Sequence, residues 1–516
     1  MPSDEVLRCG TSYYLMSDEM RNMDSQITDV PVLVVGAGPA GLTAAITLAR
    51  HGVETVVVER RLQPSSVPRA TSISTSTMEL ARSWGLESKL REGEVVVESQ
   101  GWSCETLGSA GTGEPLDFGF PTQAQSALVS PAAPACIPQD HLEPVLEEHL
   151  RSLPSARLER CVEVTAVRTA AGGAEVTVRD LVTGRERLIC AQYVIAADGI
   201  RGTLREALGI PLSLSLDLAE VTAVYLRGPL WDILGDVRYT LYSITGPETG
   251  NGSFFVPIGL PDRWVFGTSW DARDGALTER RAHELVGKAA GIGDLEARIE
   301  RIASVAYAVR LVERYREGDV FLAGDAAHRV TPRGGTGLNT AIRDGYDLAW
   351  KLAWVLKGWA AQRLLDSYEA ERRPVAEHNA ARSADPNGSR RSAVDALRAD
   401  LGGRIPHLWV DGGVRSGSTL DLIGDGLTLI TGAGAERWDT AVASLGTPLP
   451  VELRRVDGLT ARALGLIPGG ALLVRPDGVP AGLWGADPAP GQRLYDAIGA
   501  LTGNADPGHA LLADAA

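Results

Sequence analysis

Val32, Leu33, Val34 and Val35 form an apolar run that passes directly into Gly36-x-Gly38-x-x-Gly41, and these glycines open a segment of helical spacing that stops at Gly52. A second apolar run at residues 55–58 follows and ends on Glu59. Strand, glycine turn, helix and strand within about thirty residues make a βαβ unit, whose strands lie parallel and whose helix crosses one face of the sheet. There the turn lets backbone N–H groups approach a pyrophosphate at the positive end of the helix, and Glu59 stands where an acidic side chain accepts hydrogen bonds from ribose hydroxyls. The glycine pattern alone is weak, because 58 glycines in 516 residues produce it by chance about 0.7 times. Its strand–turn–helix context is what points to a dinucleotide.

The rest of the composition narrows the class. A chain of 516 residues allows two or three domains, and 50 Lys+Arg against 65 Asp+Glu give a net charge of −15. That balance argues against nucleic acid as a partner, since backbone binding needs clustered Lys and Arg. Cys9, Cys104, Cys136, Cys161 and Cys190 are scattered and never spaced as Cys-x-x-Cys, so a reducing, cytoplasmic setting without disulfides or a metal site is expected. Residues 30–49 carry no charge, but Gly36, Gly38, Pro39 and Gly41 would break a membrane-spanning helix. Residues 1–29 are polar and aperiodic, with Met16, Met20 and Met23 as alternative starts, and read as a disordered leader.

Further along, Asp140 and Glu143 read as the capping box of a helix over residues 142–150. Strands are expected at 163–168, 175–179, 187–190 and 193–197, the last running into Asp198-Gly199. Residues 211–310 alternate as an inserted sheet, in which Trp264, Phe266, Thr268 and Trp270 share one face. That face is either an aromatic wall for a flat substrate or ordinary sheet core. A buried strand at 320–323 leads into a glycine-rich loop and a long helix to about residue 356. A charged helix then fades into Asn387-Gly388-Ser389, a linker to a unit of strands and helices beyond residue 400.

Two later segments, Ala196-Ala197-Asp198-Gly199-Ile200-Arg201-Gly202-Thr203-Leu204-Arg205 and Gly324-Asp325-Ala326-Ala327-His328, each place an Asp after a buried strand. With Pro332-Arg333-Gly334-Gly335-Thr336-Gly337-Leu338-Asn339, Pro68-Arg69-Ala70, Gln139, residues 344–353 and Tyr368-Glu369-Ala370-Glu371-Arg372-Arg373-Pro374, the chain resembles the flavoprotein monooxygenases that hydroxylate aromatic compounds, the p-hydroxybenzoate hydroxylase-like group. The likeness covers residues 30–380; the last 115 or so residues resemble the thioredoxin-like appendage of phenol- and polyketide-type members.

The resemblance implies an α/β fold: a Rossmann-like FAD-binding domain (30–210 and, with a helical linker, 311–398), an inserted mixed β-sheet substrate domain (211–310) and a thioredoxin-like α/β domain (399–516). It implies that Gly36, Gly38, Pro39, Ala40, Gly41, Glu59, Arg60, Arg69 and Gln139 hold the ADP half of FAD. Asp325 would take the ribityl chain, and Pro332, Gly335, Gly337, Leu338 and Asn339 the isoalloxazine ring. Asp198 and Arg205 would mark a motif shared by flavin and pyridine nucleotide. It further implies reduction by NADPH or NADH, oxygen addition at flavin C4a, and transfer of one oxygen from the hydroperoxide to a phenolic or polyketide-like ring, in a monomer or homodimer. Epoxidation, Baeyer–Villiger insertion and antibiotic inactivation on the same scaffold stay open, as does a non-catalytic flavin-binding module.

The loop has a physical logic of its own, since its glycines admit a flat ring and the following helix aims its positive end at the flavin N1–C2 edge. Arg333 either meets an anionic substrate or a cofactor phosphate, or faces solvent, and His328 reads as packing. Departures from the family pattern are Gly202 for Ser, Ala341 for Gly and Asp347 for Asn. The first touches nicotinamide docking; the other two read as packing changes. No cysteine follows Cys190, which excludes disulfide chemistry in the appendage.

Overall fold

The computed structural model describes residues 28–503 apart from 118, 248–251, 271–274, 386, 389–391 and 412–415. The expected leader up to residue 27, with Cys9, Met16, Met20 and Met23, and Ser389 of the expected linker, lie outside the described residues. Residues 28 and 29 already belong to the first strand, β1 (Thr28–Val35). It leads through the glycine turn into α1 (Pro39–Arg50) and β2 (Thr55–Glu59), and the two strands pair in parallel with Val32 opposite Thr55 and Val35 opposite Val58.

Helix α2 (Thr75–Ser83) follows, and then β3 (Glu98–Cys104) leaves for a second sheet. Helix α3 (Gln139–Ser152) begins three residues earlier than its apolar spacing predicts, and its N-cap is Pro138, without a side-chain cap. The capping box expected of Asp140 and Glu143 is therefore a correction. Asp140 instead binds Arg263 of the second sheet at 2.9 Å, and Glu143 turns inward to accept from Gln139 Nε2 at 2.6 Å. An ion pair and a buried amide outcompete the backbone for these carboxylates.

Next come β4 (Ala156–Arg160), β5 (Val162–Ala170), β6 (Gly173–Asp180) and β7 (Glu186–Ala196). The two strands expected at 187–190 and 193–197 are one. Its first half pairs antiparallel with β6 and its second half lies parallel to β1 between Val32 and Val35.

The second sheet contains β8 (Leu212–Arg227), β9 (Tyr239–Ile244), β10 (Ser253–Gly259), β11 (Arg263–Thr268) and β12 (Arg298–Val312), joined by β3 and the short strand Glu114–Leu116 from the earlier part of the chain. One face is closed by α4 (Leu230–Leu234) and α5 (Glu279–Ala290). The chain then returns to the first sheet as β13 (Val320–Leu322), which completes the parallel order β13-β7-β1-β2-β4.

Helix α6 (Gly337–Leu356) crosses α1 closely. A Cβ at Gly345 would lie 2.3 Å from the Ala40 carbonyl oxygen, so the crossing depends on that glycine. Helices α7 (Asp366–Ala384) and α8 (Ala393–Leu401) lead to the last unit: β14 (Leu427–Thr431), α9 (Glu436–Ala443), β15 (Val451–Arg455), α10 (Gly458–Ala463), β16 (Ala471–Val474), β17 (Pro480–Trp484) and α11 (Pro490–Thr502). Its sheet order is β15-β14-β16-β17, with β14 and β15 parallel and the other pairs antiparallel, a thioredoxin-like βαβαββα arrangement.

This unit is not a loose appendage. Trp350 and Trp354 of α6 are fully buried in one apolar core with Leu427, Trp438 and Leu473. Asp347, read from sequence as a packing change, is ionic: it binds the fully buried Lys351 at 2.8 Å, which also meets Glu371 at 3.3 Å, and Arg475 Nη1 donates to Glu371 at 3.0 Å. Among the described residues no helix is long and apolar enough to cross a membrane.

Gly345→Ala tests the crossing. Helix propensity alone would stabilise the variant by about 1 kcal/mol, whereas forced separation of α1 and α6 costs about 1–3 kcal/mol. We expect a lower Tm in thermal unfolding; an unchanged or higher Tm would remove the crossing from the account.

Candidate cofactor and substrate site

The carboxyl ends of β1, β7 and β13 open into a cleft beside the N-termini of α1 and α6. Gly36 adopts φ +103°, and a Cβ there would sit 2.3 Å from the Ala197 carbonyl oxygen; one at Gly41 would sit 1.9 Å from that of Gly36. Both are glycine because backbone meets backbone. Gly38 differs, since a Cβ there would meet no protein atom within 4 Å. The space on its side-chain side is open at the first turn of α1. Helix α1 has Gly38 as N-cap, Pro39 in its first turn, no side-chain cap and no acidic residue there, while Ala40 packs beneath. Its N–H groups thus offer an uncompensated positive end. Glu59 is aimed by two backbone donors, Ala37 N–H on Oε2 and Arg61 N–H on Oε1, both 2.9 Å.

Asp198 lies two residues beyond β7, with Oδ2 accepting from Leu204 N–H at 3.2 Å, while Oδ1 is buried without a partner. Burial pushes its carboxyl above the usual range, opposed by backbone N–H groups and by the exposed Arg60. A Cβ at 202 would lie 2.1 Å from this carboxylate, so Gly202 is what lets Asp198 fold back over the start of the next helical turn. Arg205 serves that turn, donating to the Ile210 carbonyl at 2.7 Å.

Arg69 is exposed and makes no hydrogen bond or ion pair among the described residues. Its charge acts on Asp325, Glu143 and Tyr225 together, which places it at the meeting point of the two sheets. Asp325 is exposed to the cleft yet walled by protein, and loss of solvation raises its carboxyl against the pull of His328, Arg329 and Arg69. Behind it, His328 Nε2 lies 2.5 Å from Asp344 Oδ2, Arg372 Nε donates to Asp344 Oδ1 at 2.8 Å, and Gly324 N–H donates to the same carboxylate at 3.2 Å. Burial alone would raise Asp344, but His328 and Arg372 outweigh it and hold the carboxyl below its ordinary range. His328 therefore braces the turn that presents Asp325.

In the following loop Pro332 is exposed, and Gly334 and Gly335 have φ +76° and +59°. Helix α6 starts at Gly337 and Leu338 with neither a side-chain cap nor an acidic residue in its first turn, and Thr336 Oγ1 is buried without a partner. Asn339 does not face the cleft with a free amide. Its Oδ1 accepts from Ser74 N–H and Thr77 Oγ1, and its Nδ2 donates to the Ser72 and Gly335 carbonyls, all at 2.8–3.1 Å.

The aromatic wall is corrected. Trp264 and Phe266 are fully buried on the helix-covered face, with Trp264 4.4 Å from Trp231 and Phe266 5.0 Å from Phe255, and Trp270 packs partly against the same cluster. The opposite face carries Tyr225, Phe254, Val265 and Tyr307 around Ala223, Gly267 and Ala303. Arg333 reaches it from the loop, its guanidinium 5.6 Å from the Tyr307 ring centroid. The alternation assigned two faces correctly, but only the packing of α4 and α5 shows which one is closed.

The donors and acceptors left open fit FAD: free N–H groups at two helix starts for phosphate and an electron-rich ring edge, Glu59 for ribose, the unpaired Asp325 for ribityl hydroxyls, and an open Gly38.

Comparison with known proteins agrees with this geometry. Residues 29–383 match the FAD binding domain family model, and residues 398–505 match "Aromatic-ring hydroxylase, C-terminal". The tetracenomycin A2 monooxygenase-dioxygenase of Streptomyces glaucescens is 32% identical, with 92% of this chain and 95% of that protein covered. The aklavinone 12-hydroxylase of Streptomyces purpurascens is 34% identical, covering 89% and 96%. The crystal structure of aklavinone-11 hydroxylase with FAD and aklavinone superposes with a TM-score of 0.82 at 30% identity, covering 92% of this chain and 99% of that one.

Two predictions follow from the geometry. Gly38→Ala should fold with a Tm near wild type but bind FAD at least about tenfold more weakly, whereas Gly36→Ala should not give folded protein; equal FAD affinity of Gly38→Ala in a titration of flavin absorbance would place the pyrophosphate elsewhere. The lowered Asp344 carboxyl binds its proton less readily folded than unfolded, so its contribution is present at neutral pH and lost as pH falls through the folded value. Asp344→Asn should therefore flatten the acid limb of Tm against pH, and an unaltered limb would show that another group sets it.

Proposed function

The chain belongs to the FAD-dependent aromatic-ring hydroxylases, and we propose that its substrate is a fused-ring, polyketide-type phenol lying across the inner face of the second sheet. It is a flavoprotein monooxygenase that hydroxylates an aromatic small molecule, with NAD(P)H as the reductant general to the family. Bound FAD supplies the redox chemistry, with O2 as the proposed source of the oxygen atom.

The observation that carries the substrate reading is the shape of that inner face. Ala223, Gly267 and Ala303 stand side by side on β8, β11 and β12, and the Phe254 ring lies over Gly267. Four strands from Ala303 to Phe254 span about 14 Å, a floor the length of several fused rings. Tyr307 and Arg333 border it on the side of the loop 332–339. Tyr225 stands at the edge near Arg69 and Arg301; burial raises its phenol, so it stays protonated and can donate to a substrate oxygen. Arg69, Gln139, Glu59 and Asp325 hold and orient the cofactor in this reading, and the helix-covered Trp264 and Phe266 exclude water from behind the sheet.

With FAD and NAD(P)H, fused-ring phenols should accelerate reductant oxidation, and under 18O2 the product should gain one labelled oxygen. Stimulation by single-ring phenols but not fused-ring ones would overturn the substrate reading, and absence of label would overturn the oxygen source. Tyr225→Phe should lower kcat/KM by about tenfold, the loss of one buried hydrogen bond, without changing FAD affinity.

A further inference from the structure

Helix α2 is gripped by two distant parts of the chain. At its first turn Ser74 is the N-cap; its backbone N–H and Thr77 Oγ1 donate to Asn339 Oδ1 at 2.8 and 2.9 Å. Around the helix the partners come from the region matched as the hydroxylase C-terminal domain. Asp400 Oδ2 accepts from Ser76 N–H at 2.9 Å and Oδ1 from Ser76 Oγ at 2.8 Å. Arg404 Nε donates to Glu79 at 2.8 Å, and Arg82 Nη2 donates to Asp421 at 3.0 Å. Ser76, Glu79 and Arg82 succeed one another at i, i+3 and so lie on one side of α2.

We propose that the C-terminal domain sets the position of the loop 332–339 through α2, with Asp400 as a positioning residue. The carboxylate lies at the positive end of α2 and makes two charge-assisted bonds to Ser76, which is only 2% exposed. Removing it leaves the buried Ser76 N–H without its acceptor and the Ser76 hydroxyl with only the 3.3 Å contact to Ser74 Oγ, and the first turn must move to recover a partner. Asn339 is bound to follow, because both bonds to its Oδ1 come from that turn. The loop follows Asn339, because Nδ2 holds the Gly335 carbonyl at 3.1 Å. Gly335 has no slack on its other side, where a Cβ would already lie 2.9 Å from the Phe120 ring. Docking of the C-terminal domain against α2 thus fixes the bed of the isoalloxazine ring.

This inference rests on assigning the loop 332–339 to that ring, and Asn339→Ala tests the assignment separately. Asp400→Ala, Asn339→Ala and Arg455→Ala are compared as holoenzymes. Arg455 pairs with Asp439 inside the same domain, away from α2, and reports general weakening of that domain. The readouts are FAD affinity, visible circular dichroism of bound FAD, the fraction of NAD(P)H electrons recovered in product, and Tm. Asp400→Ala should weaken FAD about fivefold, alter the flavin dichroism and lower coupling, while Arg455→Ala moves Tm alone. If Asp400→Ala does not fold, Ser76→Ala, which removes one of the two bonds, carries the same expectation at smaller size. Wild-type flavin behaviour in folded Asp400→Ala, or equal changes in Arg455→Ala, would overturn the proposal. Changes in Asn339→Ala without changes in Asp400→Ala would overturn it alone; no change in Asn339→Ala would overturn the loop assignment with it.

Discussion

The close crossing of α1 and α6 at Gly345 and Ala40 is the contact on which the rest of the structure depends. It brings two helix N-termini to one cleft, and both lack a side-chain cap and an acidic first-turn residue. A helix start left open in this way is unfavourable unless water or a ligand satisfies it. In the proposed reading the opening at α1 takes the pyrophosphate and the one at α6 the N1–C2 edge of the flavin, which would make the fold and the cofactor site products of one packing event. The far half of α6 extends the same logic: Trp350 and Trp354 make it part of the C-terminal core, and the helix that faces the cofactor cannot move independently of the last domain.

Charge inside the cleft is managed residue by residue. The chain carries a net charge of −15, yet Arg69 and Arg329 bear on the cleft. Asp325 and Asp344 lie on the two sides of one short turn and differ in exposure and in partners. Asp344 is paired on both oxygens and held low; Asp325 faces the cleft unpaired and is raised. The paired one builds the turn and the unpaired one is left for a ligand.

Much of this was legible in sequence because it is local. The strand–glycine–helix unit, Glu59 at the end of its second strand, the strand before Asp325 and the helix after the glycine-rich loop all follow from spacing within a few residues. What escaped depends on contacts between distant segments. Asp140 was misread as a cap because its partner, Arg263, is 123 residues away. Trp264 and Phe266 were offered as a substrate wall because alternation gives two faces without saying which one α4 and α5 cover. Asp347 gave no sign of a buried Lys351, and nothing around residue 98 announced that β3 would cross to the second sheet. Asn339 was read as the end of the glycine-rich loop; it stands in the first turn of α6, and its hydrogen bonds to α2 arise from a separation of more than 260 residues.

An experimental structure with FAD bound tests the central claim most directly. The account predicts the pyrophosphate over Gly38 at the start of α1, a ribityl hydroxyl on Asp325, and the isoalloxazine N1–C2 edge against the first turn of α6. A pyrophosphate away from Gly38, or a flavin ring clear of residues 332–339, would contradict it.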